Sequence, residues 1–168
     1  MTRSIPAADG ATILWHDLVP DHPDLVYTMA QRLEFVGSLP RVERERAVAS
    51  LLDYEAGLSE PDLRTILVAE LRSLAAIPAE AAENVQRAID TFVKARPATF
   101  SMRRAVAMQR ASRDLSLDEL RKLEPLIEGI RVHAGLAPAR PSAAGMEAGA
   151  RGSSRPRRSV LSRLFSRP

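Results

Sequence analysis

The sequence predicts an all-α protein of three antiparallel helical hairpins, and three observations lead there. A faint repeat of about 38 residues runs from about Pro23 to Leu136. Pro23-Asp24-Leu25 recurs as Pro61-Asp62-Leu63, and Leu39-Pro40 recurs as Ile77-Pro78 and, altered, as Leu115-Ser116. Core positions keep step with it: Ala47, Val85 and Leu123 align, as do Leu51, Ile89 and Ile127, and Tyr54, Phe92 and Ile130. The composition is rich in Ala, Leu and Arg, with aromatics at only 4%, which suits close-packed helices better than a sheet. Apolar stripes at helical spacing, bounded by Pro, Gly or Ser, complete the picture. The repeat has HEAT-like spacing without the HEAT signature, so the expectation is an α-solenoid-like stack or a compact helical bundle.

Residues 1–22 are expected to form an N-terminal cap, with a partial helix around Ala11–Val19. The helical repeat domain spans 23–136. Its first helix runs from Pro23 to Val36, with Leu25, Met29, Leu33 and Val36 on one stripe and Gly37 as its stop. Pro40 opens the second, because a first helical residue needs no N–H partner. Ala47, Val48, Leu51 and Leu52 face inward, and Gly57 ends it.

Ser59 caps the third helix, whose stripe of Leu63, Ile66, Leu67, Leu71 and Leu74 is the clearest in the chain. The fourth lies between Pro78 and Pro97, with Val85, Ile89, Phe92 and Val93 inward. The fifth covers Thr99 to Asp114 and turns Ala105, Met108, Ser112 and Leu115 to the core. Ser116 and Glu119 form a capping box for the sixth, which Pro125 should kink or split. Links of a few residues predict sequential antiparallel packing.

Charge divides the chain. Residues 1–136 carry 17 basic and 20 acidic side chains, whereas 137–168 carry seven arginines against one glutamate, so the basic pI belongs to the C-terminal end. Residues 137–156, rich in Ala, Pro, Gly, Ser and Arg, read as a disordered linker. Residues 157–168 read as a basic amphipathic tail. Wound as a helix, Val160, Leu161, Leu164 and Phe165 share a face, with Arg157, Arg158 and Arg163 around it. That peptide is suited to dock on a protein groove or an anionic membrane surface.

The chemistry-bearing residues are few. Without cysteine there is no thiolate site, and no glycine-rich phosphate loop precedes a helix. His16-Asp17, with Asp21 and His22, offers metal-ligating types, but His133 is the one later histidine that could join them. Acidic pairs such as Glu43/Glu45 and Glu80/Glu83 sit at helix starts, where they favour the helix dipole. No catalytic, metal or cofactor residue is therefore expected. Lys94 to Arg113 contains no acidic residue, and on a helical wheel Arg103, Arg104, Arg110 and Arg113 form an anion-binding ridge that phosphates or an acidic partner could occupy.

The expectation is a non-catalytic interaction or adaptor protein, cytoplasmic and peripheral to a membrane or larger assembly through its tail. A nucleic-acid-binding protein using ridge and tail is the alternative, and a cargo protein targeted by its C-terminal peptide is another. Oligomeric state is not legible.

Overall fold

The computed structural model describes residues 15–137; the linker and tail expectations, and all of the cap before Trp15, lie outside the described residues. Among the described residues the chain is all-helical: α1 (Leu25–Ser38), α2 (Arg41–Gly57), α3 (Glu60–Ala76), α4 (Ala79–Ala95), α5 (Ala98–Ser112), α6 (Leu117–Leu123) and α7 (Ile130–His133), with no strand. Among the described residues no helix is long and apolar enough to cross a membrane.

Helix boundaries follow local chemistry. Ser59 accepts from the Asp62 amide at the head of α3, and the Ser116–Glu119 capping box forms in full at α6. Pro40, Pro78 and Pro97 are each the N-cap rather than the first helical residue, and the residue before each is extended, as a following proline demands. Past Leu123 the chain breaks around Pro125, and a short α7 begins after Gly129, whose φ of 70° requires glycine.

Leu39, Leu58, Ile77, Arg96 and Leu115 each precede a capping Pro or Ser, so the links fall at positions 39, 58, 77, 96 and 115, a constant step of 19. The longer sequence period is two such steps, and its smallest unit is one helix with its link.

Packing departs from the expected hairpins and fits a helical bundle. α1 lies against α2, α3 and α4; α3 lies against α1, α5 and α6; α2 packs on α4, and α5 on α7. Neighbours in sequence such as α3 and α4, or α5 and α6, share little contact. The links explain this. Between α3 and α4, Ile77 and Pro78 are both extended (ψ 166° and 139°), which carries the chain sideways instead of back along the helix it has left.

α3 is buried on more than one side and carries the widest inward arc, adding Ala69, Glu70, Ser73 and Ala75 to its five predicted apolar residues. Small residues let neighbours approach closely, and Ser73 Oγ donates to the Val26 carbonyl of α1 at 3.0 Å. Gly37 does not end α1. It is buried inside the last turn, where a Cβ would sit 2.6–2.7 Å from the backbone and Cβ of Ala81 on α4.

The predicted inward faces of α1 to α4 are the observed ones, with Phe92 and Val93 only partly buried. The described part of the cap is a series of turns, not a helix. It is pinned by the wholly buried Trp15, whose Nε1 donates to the Ala47 carbonyl at 3.0 Å. Tyr54 Oη donates to the Leu18 carbonyl at 2.7 Å.

Candidate functional site

The arginine ridge is largely consumed by the fold. Arg104 is buried, not displayed: its Nε donates to Glu55 Oε2 at 2.7 Å, and its Nη2 reaches Glu70 Oε1 and Oε2 at 2.7 and 2.9 Å. Arg103 turns back to donate to the carbonyls of Ala56 and Leu58, which the end of α2 leaves without intrahelical partners. Arg96 bonds Asp53 and the Ala49 carbonyl, and Arg110 pairs with Glu60. Arg110 and Arg113 are the exposed members of the ridge, and among the described residues Arg113 has no carboxylate within ion-pair distance. Arg103, Arg104 and Arg110 are thus each engaged by a carboxylate or a helix-end carbonyl of this same chain.

The reason is a rotation of α5 relative to expectation. Met108, Ser112 and Leu115 are buried as predicted, but Ala105 is exposed, and Arg104, Ala107 and Ala111 take the inner face. The alanines let α5 lie close on α3, and the two glutamates make burial of a guanidinium tolerable. A signal existed in the sequence. Glu55 continues the stripe of Val48, Leu51 and Leu52, and Glu70 continues that of Leu63, Ile66 and Leu67. Two carboxylates on apolar stripes imply a buried cation between them.

The other candidate residues have structural partners. Asp17 takes both guanidinium ends of Arg32 at 2.7 and 2.8 Å, and the Arg32 hydrogen bond holds its carboxyl below the usual range despite some desolvation. His16 meets the Tyr54 ring edge-on, with centroids 6.0 Å apart. His22 Nδ1 accepts from the Asp24 amide at 3.2 Å. Among the described residues no group of three His, Asp or Glu side chains is placed to hold a metal.

A groove that the sequence did not announce lies beside α1 and α3, with a volume of about 480 Å³, within the usual range for binding pockets. Leu25, Val26, Val68 and Ala69 supply an apolar floor, and Pro20, Pro23 and Pro61 stiffen one rim. Arg64 and Arg72 stand on the same face of α3, two turns apart. Arg64 Nη2 donates to both Asp114 oxygens at 3.0 and 2.7 Å, and Arg72 Nη2 donates to the Asp114 carbonyl at 3.0 Å. Arg72 Nε also lies 3.5 Å from Glu119 Oε1, whose other oxygen completes the α6 capping box. The link between α5 and α6 therefore orients both cations. No periodicity could reveal the groove, since its walls are far apart in sequence.

The arrangement can bind through an apolar floor and fixed donors. Comparison with protein-family models, with curated proteins and with solved structures finds no match for this chain.

Proposed function

We propose that the helical domain is a non-catalytic protein-interaction module. The observation that carries this reading is the groove beside α1 and α3: an apolar floor, a proline-stiffened rim and two arginines already held in place by Asp114. Preset rim groups lower the ordering cost of binding, which suits capture of a short partner segment that seats an apolar side chain below and carbonyl or carboxylate groups above. Residues 157–168 are the second docking element in this proposal, through Val160, Leu161, Leu164 and Phe165 with Arg157, Arg158 and Arg163 beside them. The protein thus joins one partner to another surface.

The test compares partners that co-purify with three forms: the full chain, a chain ending after Leu136, and full-length Thr65→Trp. Thr65 lines the groove and is only partly buried, so a bulky ring there fills the groove from its α3 wall. The reading expects Thr65→Trp to lose one partner at unchanged thermal stability, and truncation to lose a different one. An identical set of partners from all three forms would overturn it.

A further inference from the structure

Glu55, Arg104 and Glu70 form a buried side-chain cluster of two acids and one cation, whose charges do not balance. Both carboxyl groups are fully buried, and the guanidinium between them is nearly so. Arg104 Nη2 touches both partners, Glu70 Oε1 at 2.7 Å and Glu55 Oε1 at 3.4 Å, so one nitrogen bridges the two acids. With both acids ionised the cluster would carry one uncompensated negative charge in an apolar interior, which cannot solvate it. One retained proton makes the cluster neutral and lets one carboxyl donate to the other.

The cluster also joins elements that little else joins. α5 packs closely on α3, but α2 and α5 come near each other at few points. What ties them is Arg104 to Glu55, together with Arg103 to the Ala56 and Leu58 carbonyls. A change in the charge of Glu55 is therefore felt first at α5.

We propose that Glu55, Arg104 and Glu70 are a proton-dependent clamp: while the two carboxyls keep one proton between them α5 is held against α2 and α3, and losing that proton loosens α5. The charged groups that act on Glu55 are Arg104 from α5 and Glu70 from α3; among the described residues α1 and α4, which also pack on α2, bring none to bear. Burial, reinforced by Glu70 and opposed by Arg104, pushes the Glu55 carboxyl up from its ordinary 4.5 to about 8. A carboxyl raised on folding binds more proton in the folded than in the unfolded chain between those values. Stability is then highest on the acid side and falls as pH rises through the window.

The deciding experiment follows the carboxyl carbons of the full chain by NMR across this range, with Glu55→Gln to assign the signal. A buried glutamate titrating with a midpoint near 8 is expected, and a midpoint in the ordinary range near 4.5 would overturn the proposal. Denaturation with urea provides the second readout. Between about pH 6 and pH 9 the folded-to-unfolded ratio of the native chain should drop at least about tenfold more than that of Glu55→Gln, which removes the charge and keeps one oxygen to accept from Arg104. Amide exchange in α5 should rise with pH in the native chain and not in the variant, after correction for intrinsic rates. Parallel profiles for the two proteins would sink the idea. Should Glu55→Gln not fold, the wild-type titration decides alone.

Discussion

Arg104 shows how far a single residue's meaning depends on what faces it. On a helical wheel it flanks other arginines and looks solvated, yet it is the cation that makes two glutamates tolerable in the core. Breaking such a cluster from one side costs more than never having built it, because the acids left behind stay dry and unpaired. Arg104→Ala is accordingly expected to lower unfolding free energy by about 3–5 kcal/mol, measured by urea denaturation near neutral pH. A second-site change of both Glu55 and Glu70 to apolar residues of similar size should recover much of that loss. If Arg104→Ala alone were neutral, the cluster would have to be open to water in solution. The surface pair of Arg110 and Glu60 is a fair control, since exposed ion pairs contribute about 0–1 kcal/mol.

At the scale of elements, the meeting of α1 with α4 needs a glycine as well as apolar side chains. Gly37 lies against the backbone of Ala81 with no room for a Cβ, and its carbonyl accepts from Asn84 of α4 at 3.2 Å. Alanine is the better helix former by about 1 kcal/mol, so propensity alone says that Gly37→Ala should stabilise α1. Packing says the reverse. The added Cβ meets the Ala81 carbonyl and Cα, neither of which can swing aside. We expect Gly37→Ala to destabilise the protein by about 1–3 kcal/mol, the usual range for overpacking, visible as a lower Tm. A rise in Tm would mean that α1 and α4 separate readily. The same element shows why a sequence reading assigns Gly37 to a helix stop. Glycine before a Leu-Pro link has the usual signature of a C-terminal cap, and only the neighbouring helix reveals the second use.

At the scale of the whole molecule, burial is unequal, and so should be resistance to opening. α3 buries nine residues and lies between α1, α5 and α6, whereas α7 buries one. Local opening costs follow the apolar contacts that must be broken. Native-state hydrogen exchange should therefore find the slowest amides in α3 and the facing turns of α1, with α7 and residues 15–22 opening first. Equal protection along α3 and α7 would contradict the packing described here. The charged rim of the groove belongs to this scale too, since Arg64 and Arg72 from α3 are positioned by Asp114, which no local pattern links to them.

By itself the sequence determined what depends on neighbours along the chain. All-helical structure, the Ser59 and Ser116 caps, the proline-marked links, the break at Pro125 and the apolar stripes of α1 to α4 all follow from periodicity and from the needs of free backbone groups at helix ends. The structure alone decided which stripe meets which. Helix order in space, the buried role of Arg104, the approach at Gly37 and the groove each depend on residues dozens of positions apart, such as Glu55 with Arg104 or Arg64 with Asp114. The physical reason is that a stripe states only that a face must leave water. Burial against any apolar surface satisfies it, and the choice among partners is made by link geometry, side-chain volume and charge balance once all the helices are present.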